Sequence, residues 1–150
     1  RVSMGQASGG GTMSEPAGIP VVTTGEGVDG PRSDPRHEVV VDVRPWGRFE
    51  RFTLNEPTTV KVITVGAGQR LSLQRHRHRD ELWVVLDGPL LVEIGGRTWS
   101  APAGERVWIP RTTTHRVGAT PGQGGRFLEI AFGVFDEDDI ERLADDYQRR

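Results

Sequence analysis

Two of the chain's four histidines, His76 and His78, stand one residue apart in the stretch Leu71-Ser72-Leu73-Gln74-Arg75-His76-Arg77-His78. On a β-strand, residues two apart leave the same face. The spacing therefore predicts two imidazoles on one side of a strand, with Gln74 and Ser72 beside them. Glu81 follows, and then an apolar run from Leu82 to Leu86 that reads as a buried strand closing on an Asp87-Gly88 turn. Imidazole nitrogen and carboxylate oxygen suit zinc, manganese, iron, nickel or cobalt. With no cysteine in the chain, disulfides and thiolate ligands are excluded. A third histidine, His115, lies downstream of Gly104-Glu105-Arg106-Val107-Trp108-Ile109-Pro110. His76, His78 and His115 are predicted to converge with nitrogens about 2.0–2.3 Å from one divalent ion, and Glu81 to complete the set. Gln74 is a ligand, a donor that holds an imidazole, or a plain buried hydrogen bond. His37 is isolated and reads as a bystander.

The elements that must position these groups are short strands. Val39 to Val41, Arg48 to Leu54, Thr59 to Val65, Leu90 to Ile94, Arg97 to Ser100, Glu105 to Ile109, His115 to Val117 and Arg126 to Phe132 carry β-branched or alternating patterns between Gly, Pro and Asp turns. About ten strands at this spacing predict an all-β sandwich or barrel. The end alone reads as a short α-helix, with Asp136 as N-cap and Ile140, Leu143, Ala144 and Tyr147 on one face. Residues 1–36 read as a flexible tail rich in Gly and Pro, and 37–150 as the folded domain. The opening residues look like a cloning remnant, with Met13 as the natural start. Val21-Val22 could add a strand to a partner's sheet edge. A net charge of −2 gives no reason to expect nucleic acid or an anionic membrane. No apolar run approaches the roughly 20 residues of a spanning helix, so a cytoplasmic protein is expected. The four tryptophans, Trp46, Trp83, Trp99 and Trp108, are expected to fill the core or an interface.

Two motifs resemble those of the cupin superfamily. Gly68, His76, His78, Glu81 and Gly88 match the first, and Gly104, Pro110 and His115 the second. There are two departures. The gap from His78 to Glu81 is short, and Thr112 stands where the second motif has Gly. From Arg44 to about Tyr147 the chain is similar to the C-terminal cupin domain of type II phosphomannose isomerases. The likeness is carried by Arg44-Pro45-Trp46-Gly47, Lys61, Gln74 leading into the histidines, Trp83, Ile109-Pro110 before His115-Arg116, and the acidic run Glu137-Asp138-Asp139. It implies a cupin double-stranded β-helix, a jelly-roll barrel, with a bound divalent metal. It also implies interconversion of mannose 6-phosphate and fructose 6-phosphate. A phosphorylated sugar needs cationic partners, for which Arg70, Arg79, Arg111, Arg116 and Lys61 are candidates, with Gln74 beside them. Lys61 and Glu81 are the candidates for moving a proton between neighbouring carbons.

The family has His directly after the motif Glu, and this chain has Leu82. If that His is a ligand, its loss predicts weakened metal binding and low or absent turnover. A second function therefore stays open, a cupin that binds metal and a small ligand as a sensor, as an accessory domain, or for another metal-dependent reaction. Open sheet edges predict a homodimer.

Overall fold

The computed structural model describes residues 30–149; the tail residues before them, with Met13 and Val21-Val22, lie outside the described residues. A 3₁₀ turn, Arg36–Glu38, precedes eleven strands. They are β1 (Val40–Arg44), β2 (Gly47–Arg51), β3 (Thr59–Val65), β4 (Leu73–Arg75), β5 (Arg79–Asp87), β6 (Leu90–Ile94), β7 (Arg97–Ala101), β8 (Arg106–Ile109), β9 (His115–Ala119), β10 (Gly125–Gly133) and β11 (Glu141–Ala144). All pairings are antiparallel. One sheet has the order β3-β10-β5-β8, a second β11-β4-β9-β6-β7, and β1-β2 is a separate hairpin.

The two larger sheets face each other across one core. Trp83, Val85, Leu90, Val92, Val107, Ile109, Val117 and Phe127 meet there, all nearly inaccessible to solvent. The pattern on β5 explains the arrangement. Its odd residues, Arg79, Glu81, Trp83 and Val85, turn into the barrel, while Leu82 joins Trp108, Ile130 and Phe132 in a smaller cluster on the other face. Phe52 packs on that smaller cluster, and the Arg32 guanidinium lies 4.5 Å from the Phe132 ring centre. Arg32 and the fully buried Pro35 are thus part of the packed domain. Trp46 stands at the tip of the β1-β2 hairpin, 73 % exposed, and so takes no part in the core of this chain.

The expected C-terminal helix is a correction. Among the described residues there is no α-helix, and Glu141–Ala144 forms an edge strand on β4, with Glu141 opposite Arg75 and Arg142 opposite Gln74. Asp136 does not cap a helix. Its side chain accepts from the Asp138 amide (2.9 Å) and its carbonyl from the Asp139 amide (3.1 Å), closing a tight turn. Pairing with the edge of β4 and the Arg75–Glu141 ion pair (2.8 Å) hold the segment extended.

Thr112 has φ 70°, the left-handed conformation that favours glycine. Its amide donates to the His76 carbonyl at 2.6 Å, so the loop before β9 is fastened to the loop after β4. A glycine in the related motif answers the same backbone demand.

Candidate metal centre

Strand β4 ends at Arg75, and the chain bends at Arg77 and His78 before β5 begins. The two-residue period therefore stops short of His78. The residues that share the inward face are Ser72, Gln74 and His76; Ser72 Oγ donates to Gln74 Oε1 at 2.9 Å, and Gln74 lies opposite His115 in the β4-β9 register. His78 is exposed and lies outside the cluster, against the expectation from its spacing. Its amide and that of Arg77 donate to the Asp139 carboxylate at 2.9–3.1 Å.

His76, Glu81 and His115 do come together. Their ligand atoms all lie within 4.8 Å of one another, and each residue is 1–2 % exposed. His76 Nε2 is 3.2 Å from Glu81 Oε1, and His115 Nε2 is 3.7 Å from Glu81 Oε2. Each imidazole is oriented by its other nitrogen. Nδ1 of His76 sits 3.0 Å from the Asp139 carbonyl and Nδ1 of His115 is 2.9 Å from that of Thr113. A carbonyl only accepts, so both Nδ1 atoms carry the proton and both Nε2 lone pairs face Glu81. Such backbone acceptors behind an imidazole are the usual support of a metal ligand.

The electrostatics agree. Burial pushes the Glu81 carboxyl up. The neighbouring His76, His115 and Arg79 outweigh that and bring it down to about 2, so it is ionised. Burial pushes His115 down, against the pull of Glu81, which keeps its ring neutral and its lone pair available. His115 Nε2 is buried with no hydrogen-bond partner. Buried polar atoms are rarely left this way, and a cation between two imidazoles and a carboxylate would satisfy it. Nitrogen and oxygen donors of this kind fit a first-row divalent metal.

Beside the cluster is a cavity of about 160 Å³ lined by Lys61, Ser72, Gln74, Arg79, Glu129 and Arg142, among others. Glu129 was not singled out by sequence, although a charged residue in the inward phase of the apolar strand Phe127 to Phe132 is a signal. It lies opposite Lys61 of β3 and Trp83 of β5. Burial and the charge of Glu81 push its carboxyl up to about 7, against the pull of Lys61. The Lys61 ammonium instead bonds Glu137 at 3.1 Å and lies 4.0 Å from the Phe135 ring centre.

The expected arginines divide. Arg79 is buried at the centre, bonded to Glu81 Oε1 at 3.0 Å. Arg70 and Arg116 line a separate groove with Leu91 and Glu93, and Arg70 is paired with Asp146 at 2.7 Å. Arg111 grips Asp80, through its amide (2.7 Å), Nε (3.0 Å) and Nη2 (2.9 Å), on the side of β5 away from Glu81. Leu82 shares that far side, completely buried. A histidine at position 82 would not reach the cluster, so the expectation that Leu82 weakens the site is corrected.

The sequence profile described as mannose-6-phosphate isomerase C-terminal matches residues 32–145. The chain belongs to this family. It is 40 % identical over 108 residues to the alginate biosynthesis protein AlgA of Pseudomonas aeruginosa, covering 71 % of this chain and 22 % of that protein. It is 37 % identical over 123 residues to a mannose-1-phosphate guanylyltransferase of Escherichia coli, covering 79 % of this chain and 26 % of the relative. The chain thus spans about a quarter of the length of these relatives. Among solved structures, the capsular polysaccharide assembling protein CapF of Staphylococcus aureus superposes with a TM-score of 0.54 at 18 % identity, over 71 % of this chain and 34 % of that one. That likeness concerns the fold alone, two antiparallel sheets facing each other across one core. No helix among the described residues is long and apolar enough to cross a membrane.

Proposed function

We propose that this domain is a metal-dependent sugar-phosphate isomerase that interconverts mannose 6-phosphate and fructose 6-phosphate. The observation that carries the reading is the buried His76–Glu81–His115 cluster beside a cavity holding a second buried carboxyl, Glu129, in a family described by that activity. A divalent metal held by these three residues would polarise the sugar carbonyl and hydroxyl and stabilise the enediolate.

The chain's own residues supply the rest. Glu129, with a pKa near neutrality, takes the proton from the sugar carbon at one carboxylate oxygen and returns it to the neighbouring carbon. Lys61 and Arg142 place positive charge on the cavity wall for the phosphate. Gln74, held by Ser72, offers its amide to a sugar hydroxyl. Trp83 Nε1 donates to Glu81 Oε2 at 3.1 Å and fixes the carboxylate plane.

The test is elemental analysis of the purified protein beside a coupled assay on mannose 6-phosphate. The reading expects a divalent metal near one equivalent, and turnover that a chelator removes and metal restores. Metal without turnover would favour the second reading, a cupin that binds metal and a small ligand as a sensor or accessory domain.

A further inference from the structure

Arg79 stands where a metal's charge is wanted. It lies two residues before Glu81 on the inward face of β5 and is 3 % exposed. Its Nε donates to Glu81 Oε1 at 3.0 Å, and its Nη2 is 3.3 Å from His76 Nε2. Those two acceptors are themselves only 3.2 Å apart. With the His76 proton on Nδ1, they present lone pairs to each other, and an unscreened contact of that kind is repulsive. The guanidinium fork relieves it by putting one N–H on each. A metal bound at about 2.0–2.2 Å from both atoms would need the same two lone pairs. One lone pair cannot hold a metal and a hydrogen bond along the same direction.

The guanidinium has a place to stay once released. Its Nη1 donates to the Asp136 carbonyl at 3.0 Å, and its carbon lies 4.3 Å from the Phe135 ring centre. These contacts involve neither His76 nor Glu81. Arg79 also lines the cavity that holds Lys61 and Gln74. A small swing about the Asp136 anchor would turn Nε and Nη2 from the cluster to that cavity, as a two-pronged donor matched to an oxyanion.

We propose that Arg79 is an internal counter-ion that competes with the metal for His76 and Glu81, and that its displacement arms the cavity for an oxyanion. The inference rests on the metal-binding part of the proposed function, not on isomerase turnover. Metal and oxyanion then bind with positive coupling. By thermodynamic reciprocity, each raises the other's affinity by the same factor.

The test is calorimetric titration of metal-free protein with Mn²⁺, in sulfate and in chloride of equal ionic strength. Wild type should bind Mn²⁺ about 5-fold or more tightly in sulfate, a coupling of ordinary size. Arg79→Met should bind Mn²⁺ about tenfold more tightly than wild type in chloride, with the sulfate effect gone. Arg79→Lys, which keeps the charge and loses the fork, should bind Mn²⁺ more tightly than wild type with a reduced sulfate effect. It serves if the methionine variant does not fold, which thermal melting reports. A folded variant that binds Mn²⁺ no more tightly than wild type overturns the competition. Equal wild-type affinity in sulfate and chloride overturns the coupling. If neither wild type nor the variants bind Mn²⁺, the metal reading itself falls and this inference with it. Tighter binding by the variants in a protein without turnover leaves the inference standing and removes the isomerase.

Discussion

Asp80 and Glu81 are neighbours on one strand, and each is buried to within about 1 %. They differ in who answers their charge. Asp80 accepts from the Arg111 amide and guanidinium and from the Arg32 amide (3.1 Å), so its oxygens tie two distant segments to β5. Glu81 faces two imidazole lone pairs, one guanidinium that also has other partners, and the Trp83 indole. A buried carboxylate saturated by backbone and arginine donors is a cross-link. One whose partners can be exchanged for a metal is a site. Charge and burial alone do not distinguish them.

Breaking each side of that contrast gives different outcomes. Asp80→Ala leaves the Arg111 guanidinium without its carboxylate, and the expected loss is about 3–5 kcal/mol of unfolding free energy. Denaturant melts showing a loss below about 1 kcal/mol would erase the distinction. Glu81→Gln should weaken metal binding about 100-fold, close to 2.7 kcal/mol, since even supporting groups around a metal cost up to that much; calorimetry showing unchanged affinity would take Glu81 out of the ligand set.

Glu129 sharpens the comparison through pH. Its folded pKa, about 7, is raised above the ordinary 4.5. The folded form therefore holds the proton more tightly than the unfolded chain does. Its contribution to stability is complete below 4.5 and is lost as pH rises through about 7. Glu129→Gln does not titrate. In metal-free protein it should match wild type in acid and exceed it by about 1–3 kcal/mol above neutrality. Melting curves with a pH-independent difference would remove Glu129 as the neutral-range acid–base group. The smallest effects belong to positions outside the cluster. His78→Ala and Leu82→His should each leave metal affinity within about threefold, under 1 kcal/mol, and a larger change at either would return that residue to the site.

The strands were legible because each reports itself locally, through β-branched residues, alternation and Gly or Pro turns. Thr59 to Val65 and Leu90 to Ile94 match β3 and β6 end to end. Glu81 and His115 were legible as partners because motif spacing survives sequence change. His78 misled because alternation holds only while a strand lasts, and β4 stops at Arg75. The inward pair is Gln74 and His76, which leaves four residues between the second of them and Glu81 and removes the short gap. The C-terminal segment misled for another reason. Ile140, Leu143, Ala144 and Tyr147 fit a helix, but an open strand edge competes for the backbone and wins. Which arginines enter the barrel depends on strand phase and on carboxylates far away in the chain, such as Asp80 and Asp146, and no local pattern carries that.

One contact links the site to the order in which the chain is made. The carbonyl that orients His76 belongs to Asp139, 63 residues later, and the same residue's carboxylate holds the Arg77 and His78 amides. Burial pushes that carboxyl up, but the two amide hydrogen bonds outweigh it and keep it ionised below its ordinary range. His76, Glu81 and His115 all leave the ribosome before it does. Until Asp139 follows and β11 docks on β4, His76 has no acceptor to set its tautomer, so a nascent chain holds the ligands without the site. A metal at this cluster would be held only once that segment is in place, and an ion captured early would meet an imidazole still free to turn.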